Sequence, residues 1–331
     1  MAVRQLVNDP DDLVAEALRG LAAGHPSLVR HHAQPAYLVR AEPGEPKVAL
    51  VSGGGSGHEP LHTGFVGAGM LDAAVPGAVF ASPTAFQIRA AIRAADRGRG
   101  VLLIVKNYTG DVLNFGIAAE LAAEDGLDVR TVLVDDDLAT EGTEGPGRRG
   151  TAAVVAVEKI CGAAAERGAS LDELVALATR VAGSARTLAV ALAACTHPGE
   201  SRPSFELADD EVEFGVGIHG EHGIERRPFA PVRELVASLA APIAAALDLT
   251  AGDEVIAIVN GLGATHGLEL AAAHRDLVAH LRGIGVEVAR ALVGSYVTAL
   301  DMRGCSITLL RAAPDLLELW DAPVRTPALT W

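Results

Sequence analysis

Two histidine loops and a lysine–aspartate pair carry most of the chemistry this sequence can offer. His58 closes the stretch SGGGSGH at 52–58, and Glu59, Pro60, Leu61 and His62 follow it. Lys106 and Asp111 bracket KNYTGD, and His219 lies in GVGIHGEHGIERR at 215–227. Imidazole can act as general base or nucleophile, a carboxylate can accept a proton, and an ammonium can hold a polar substrate. Two familiar chemistries do not fit the first stretch. A phosphate-binding GxxxxGK[ST] loop needs a lysine after its last glycine, where this chain has His58 after Gly57. A GxGxxG fingerprint fails as well, because starting at Gly53 or Gly55 its final position is His58 or Pro60. HEPLH has the letters of a zinc HExxH motif, but that motif needs a continuous helix. The preceding glycine and serine run and the internal Pro60 oppose one.

The glycines have a simpler use, which is to let backbone amides approach a small polar ligand closely. Each residue also has a plainer reading. The glycine run can be a tight strand-to-helix turn with nothing bound, Lys106 can snorkel to solvent, and Asp111 can cap a helix starting near Asn114. His219, between glycine-bearing turns, can be a surface-loop histidine.

The elements that must position these residues show a repeated rhythm. VALV (48–51), AVFA (78–81), VLLIV (101–105) and TVLV (131–134) are apolar runs, each followed by a polar loop and helical patterning. Such runs read as buried parallel strands of an α/β domain, whose ligands sit beyond the carboxyl ends of the strands. SGGGSGH and KNYTGD both fall at that edge, and they face each other if their strands are neighbours. An N-terminal helix is expected from the cap candidates Asn8 and Asp9, with Pro10 in its first turn, to Gly24. Near Gly183 the pattern restarts with TLAVALAAC (187–195), a helix over 232–247, the strand EVIAIVN (254–260) and a helix from Leu268. The expected architecture is two α/β domains, 1–183 and 184–331, each with a largely parallel or mixed sheet flanked by helices.

The totals bound the function. The chain has 331 residues, 27 basic and 42 acidic, for a formal charge of −15. Without a basic block, this weighs against nucleic acid or an anionic membrane as partner. Mean hydropathy is +0.28, but no apolar run is long enough to span a bilayer. MAVRQLVNDPDDL lacks a signal-peptide core, so a cytoplasmic protein is expected. Cys161, Cys195 and Cys305 are isolated, which argues against a disulfide framework or structural zinc.

The segments NDPDDLVAEALRGLAAGHP, VSGGGSGHEPLHTGFVGAGMLDAAVPGAVFASPT, KNYTGDVLNFGIAAE, VDDDLAT and GIHGEHGIERR resemble the dihydroxyacetone kinase K subunit family. The resemblance runs from about residue 4 to the closing PVRTPALTW. It implies two α/β domains, usually in a homodimer, and phosphorylation of dihydroxyacetone to glycerone phosphate. It also implies that His219 adds to the substrate carbonyl as a hemiaminal, that His58 and Asp111 handle the reacting hydroxyl, and that Gly55, Ser56, Gly57 and Lys106 line the substrate. No cofactor is expected on this chain. ADP or ATP with magnesium is expected on a separate helical L subunit, itself recharged by a phosphotransferase-system M subunit or using exchangeable ATP. Because the sequence ends at Trp331 without a second module, it resembles the stand-alone K subunit.

Two departures bear on substrate choice. His222 and His266 stand where the family commonly has proline, and a larger ketose such as erythrulose is the alternative substrate. A rival reading is a non-catalytic sensor that binds dihydroxyacetone and signals to a transcriptional regulator. Such a protein could keep His219 without the acid–base pair, whereas this chain has both His58 and Asp111.

Overall fold

In the computed structural model, residues 5–142, 145 and 147–331 are described. The chain forms two compact units that each draw on separated segments. The first is Val7–Val134, Val154–Ala182 and Glu318–Trp331; the second is built mainly from Asp135–Ala153 and Gly183–Leu317. The chain therefore passes between units several times, whereas the sequence reading carries one division, at 183/184.

The first unit holds a six-stranded mixed sheet. Its strands are β1 (Val29–Ala33), β2 (Ala36–Arg40), β3 (Ala49–Ser56), β4 (Ala73–Val79), β5 (Val101–Lys106) and β6 (Val129–Val134), in the order β1-β2-β4-β3-β5-β6. The pairs β4/β3, β3/β5 and β5/β6 are parallel, and β1/β2 and β2/β4 are antiparallel. Every residue of β3 and β5 is buried, as expected for central strands covered on both faces. Each Val, Leu or Ile so placed contributes about 1.5–3 kcal/mol. The helices are α1 (Leu13–Gly24), α2 (Ala85–Ala95), α3 (Thr109–Glu124), α4 (Ala153–Glu166) and α5 (Leu171–Gly183). One face of the sheet meets Ile88, Ile92, Phe115 and Ala118 in a core with Val51, Val75 and Leu103.

Three local expectations shift. The second apolar run is not the strand: β4 is AAVPGAV, and it ends before Phe80, whose φ is 55°. Pro76 is tolerated because β2 pairs only with Ala73 and Ala74, so no ladder bond from position 76 is needed on that side. Helix α3 begins at Thr109 rather than near Asn114, which moves Asp111 into its first turn. Helix α1 begins at Leu13, with residues 10–12 forming a turn ahead of it.

The second unit has its own six-stranded mixed sheet. It comprises β7 (Ala185–Ala193), β8 (Glu211–Phe214), β9 (Glu225–Pro228), β10 (Glu254–Gly261), β11 (Glu287–Gly294) and β12 (Arg303–Arg311), ordered β11-β10-β12-β7-β8-β9. Only β10/β11 is parallel. Helices α6 (Val232–Ala246) and α7 (Gly267–Gly283) pack Leu239, Ile243, Leu270 and Leu277 against Val190, Val259 and Ile307. Two α/β units with mixed six-stranded sheets are the fold class that the patterning predicts.

Candidate functional site

Register brings the first two loops together. Strands β3 and β5 are parallel neighbours, with Ser52 opposite Ile104, so their carboxyl ends open on the same edge of the sheet. From that edge β3 runs into Gly57 and His58, and β5 ends on Lys106 before the short turn into α3. Residues 57–62 form bends and turns, not the helix that a zinc HExxH requires.

Lys106 is fully buried, at 0 % exposure, and its ammonium has three neighbours. It donates to the Gly53 carbonyl at 3.1 Å and lies 2.8 Å from His62 Nε2. The third is Asp111 Oδ2, at 3.7 Å. Asp111 is itself buried, at 4 % exposure, in the first turn of α3, where the helix dipole adds positive potential beside its carboxylate. The plainer readings of these two residues therefore fail: Lys106 does not reach solvent, and Asp111 follows the N-cap, Tyr108.

Gly54 explains one of the glycines. Its φ is +156°, and a Cβ there would sit 2.5 Å from Lys106 Nζ and 3.3 Å from Asp111 Oδ2. The backbone thus passes directly over the ion pair, and only a residue without a side chain fits there. His58 is buried and stacked on Phe80, with ring centroids 5.1 Å apart and planes 19° from parallel. That stack fixes the imidazole orientation. Phe80 is held in turn by its backbone N–H donating to the Ser56 carbonyl at 2.9 Å. The Ser56 hydroxyl donates to the Gly77 carbonyl at 2.7 Å, so it braces the loop. Gly54, Gly55, Ser56, Glu59 and His62 border a small cleft at this point.

Behind Lys106 lies a layer that sequence reasoning missed. His62 Nδ1 is 2.6 Å from Glu158 Oε1 and 3.1 Å from Ser52 Oγ. Burial pushes Glu158 up to about 8, against the pull of Lys106. Burial, then the Lys106 charge, holds His62 well below the usual imidazole range. A signal existed: Glu158 and Lys159 are adjacent charges in the otherwise apolar AVVAVEKICG, and a helix buried all round tolerates a charge only where it has a partner. His62 was visible too, but only as half of a zinc motif.

His219 belongs to the second unit and stands on its own scaffold, the turn between β8 and β9. It is half-buried, and its backbone N–H donates to Glu221 Oε2 at 2.8 Å. The other Glu221 oxygen accepts from Arg149 at 2.8 Å, and Arg149 also donates to Asp137 at 2.8 Å and to the Gly215 carbonyl at 3.0 Å. Burial raises Asp137 to about 6, although Arg149 pulls the other way. A Cβ at Gly217 would lie 1.7 Å from Glu221 Oε1, so the turn closes over its own carboxylate. His222 is exposed, 3.2 Å from the buried carboxylate of Glu213 and tilted against Phe205. His266 precedes α7 and lies 3.3 Å from Glu269 Oε2.

A model of the Dak1 domain matches residues 19–328 of the chain. The chain belongs to the Dak1 family. Among Dak1 relatives, the dihydroxyacetone-binding subunit DhaK of the PEP-dependent dihydroxyacetone kinase of Escherichia coli (strain K12) is 46% identical, over 99% of each chain. The dihydroxyacetone-binding subunit DhaK of the PTS-dependent dihydroxyacetone kinase 1 of Listeria innocua is 48% identical, over 98% of this chain and 100% of that one. The solved dihydroxyacetone kinase of C. freundii superposes with a TM-score of 0.89 and 36% identity, over 99% of this chain and 60% of that one. A dihydroxyacetone kinase operon co-activator, DhaQ, superposes with a TM-score of 0.90 at 36% identity, over 95% and 97%. Among the described residues, no helix of this Dak1 chain is long and apolar enough to cross a membrane.

Proposed function

We propose that this chain is the dihydroxyacetone-binding subunit of a dihydroxyacetone kinase, in which His219 holds the ketose and Asp111 activates its hydroxyl. The observation that carries the reading is the buried Lys106–Asp111 pair beneath the Gly54 backbone, at the carboxyl edge of the sheet. A site so small suits a ligand of a few heavy atoms, whose non-covalent affinity is limited by its size. Covalent capture offsets that limit. A neutral His219 ring nitrogen attacks the ketone carbon and the C=O π bond opens; the ring's N–H proton is lost as the oxygen gains one, and a neutral hemiaminal results. Glycerol has no carbonyl to attack, so selection is chemical as well as steric.

The terminal hydroxyl then meets the acid–base pair. Asp111 accepts its proton as the oxygen attacks phosphorus, while Lys106 offsets the charge on the carboxylate and His58, fixed by Phe80, orients the same hydroxyl. General-base help of this kind is worth roughly 10²–10⁴ in rate. Gly55, Ser56 and Gly57 supply the backbone wall of the pocket.

The phosphoryl group comes from a partner on this reading, since the relatives are named as the dihydroxyacetone-binding subunits of PEP- or PTS-dependent kinases. A kinase of the same fold has been solved with AMP-PNP and Mg2+, and this chain covers 60% of its length. That structure is consistent with a magnesium-bound nucleotide in the assembled kinase; on this reading ADP or ATP sits on an L-type subunit, and the PTS-dependent relatives suggest recharging by a phosphotransferase-system M subunit. The family resemblance implies a cytoplasmic homodimer for the K chain, with the main division between its domains near 183/184. The sensor reading is not favoured: the Lys106–Asp111 pair and His58 are both in place, and the relatives at 46% and 48% identity are named as kinase subunits.

The test is reconstitution with a nucleotide-loaded L-type subunit, following glycerone phosphate. Wild type should turn over dihydroxyacetone. Asp111→Asn should still retain the ketose while losing about 10²-fold or more in kcat. An Asp111→Asn protein as fast as wild type would remove Asp111 from the reaction.

A further inference from the structure

We propose that His62 and Glu158 are positioning residues, forming with Lys106 a buried hydrogen-bonded chain that fixes the ammonium beside Asp111. The donors and acceptors can be counted atom by atom. Lys106 brings three N–H groups and no acceptor. One goes to the Gly53 carbonyl and one points at His62 Nε2, 2.8 Å away, so Nε2 must accept. The imidazole proton then sits on Nδ1, which faces Glu158 Oε1 at 2.6 Å and Ser52 Oγ at 3.1 Å. Ser52 has spent its own hydroxyl proton on the Ile104 carbonyl at 2.7 Å, so towards His62 it too can only accept. Both neighbours of Nδ1 accept and the neighbour of Nε2 donates. One tautomer of neutral His62 satisfies all three.

With two of its hydrogens claimed, Lys106 has one left to direct at Asp111 Oδ2. Without the histidine, the ammonium would be anchored by Gly53 alone, on a stem with four rotatable carbons. The direction of the His62 shift, down through burial and through the Lys106 charge, agrees with a ring that stays neutral. Glu158 is completely buried, and its second oxygen has no hydrogen-bond partner among the described residues. Its one anchored oxygen therefore serves His62. The chain draws on β3, β5, α4 and the turn after β3, so the position of one ammonium depends on four parts of the first unit.

The kinetic consequence rests on the proposed role of Asp111, whereas the tautomer does not, so two readouts separate them. The first is 15N NMR of histidine-labelled wild type, with the signal assigned by its loss in His62→Phe. A proton on Nδ1, a bare Nε2 and no titration between about pH 5 and 8 are expected. A proton on Nε2, or an ordinary titration, would overturn the inference whatever the protein's activity. The second compares two substitutions of similar shape. Glu158→Gln keeps an acceptor oxygen for Nδ1–H and should stay within about threefold of wild-type kcat. Glu158→Met removes it and should cost about 10- to 100-fold in kcat with little change in KM. Equal kcat for the two variants would refute the positioning role. If wild type itself turns over no ketose, the functional reading fails while the NMR still decides the hydrogen-bond chain.

Discussion

Gly54→Ala is the sharpest perturbation that the structure offers, because the added atom lands on the catalytic pair. The new Cβ would lie 2.5 Å from Lys106 Nζ, where ordinary contact begins at 3.4 Å, so the ammonium must retreat by about 0.9 Å. Retreat stretches its bonds to the Gly53 carbonyl or to His62 Nε2, now 3.1 and 2.8 Å. Losing one charge-assisted bond costs roughly 1.5–3 kcal/mol. Forcing a side chain onto a φ of +156° adds about 1–3 kcal/mol. A displacement near 1 Å in a reacting array is worth about 10²-fold in rate. Gly54→Ala should therefore lower both the melting temperature and kcat, the latter by about 100-fold. Calorimetry and a glycerone phosphate assay with an L-type partner measure the two effects. Gly116→Ala is the matched control: it lies on the same helix as Asp111 with nothing within 4 Å of its Cβ. It should keep activity and gain up to about 1 kcal/mol from helix propensity. Wild-type kcat in Gly54→Ala would refute the claim that this backbone sits over the working ion pair.

Further predictions follow from the buried charges. The folded protein holds the Glu158 proton up to about 8, against an ordinary 4.5. Between those values it binds more protons than the unfolded chain, so this residue makes stability fall as pH rises from about 4.5 to 8. Glu158→Gln should flatten that part of the melting-temperature profile, and an unchanged slope would count against a raised Glu158. Arg149→Met leaves the carboxylates of Asp137 and Glu221 without their shared cation. It should cost about 3 kcal/mol in chemical denaturation and reduce adduct formation at His219. Full adduct yield would separate that scaffold from the histidine's role.

What the sequence revealed and what it hid have physical causes. Strands β3, β5 and β6 were readable because continuous apolar runs mark strands covered on both faces. β4 was not, since Pro76 and Gly77 look like a turn and only the missing ladder partner on one side makes them acceptable. His58, Lys106 and Asp111 stood out as polar residues at strand ends, where α/β sheets place their ligands. Ser52 did not, and Glu158 showed only as a charge in an apolar helix, because the partner that each meets, His62, is set by the fold and not by a local pattern. His62 was visible for the wrong reason. The scaffold of His219 was hidden similarly: Asp137, Arg149 and Glu221 lie up to 84 residues apart, and only the fold makes them neighbours.

Native mass spectrometry of the purified chain with dihydroxyacetone and with glycerol, repeated on His219→Ala, tests the central claim most directly. The account predicts that wild type gains the mass of one dihydroxyacetone per chain and keeps it on mild activation. It predicts no retained glycerol, and no retained ketose in His219→Ala. Retention of dihydroxyacetone by His219→Ala to the wild-type extent would contradict it.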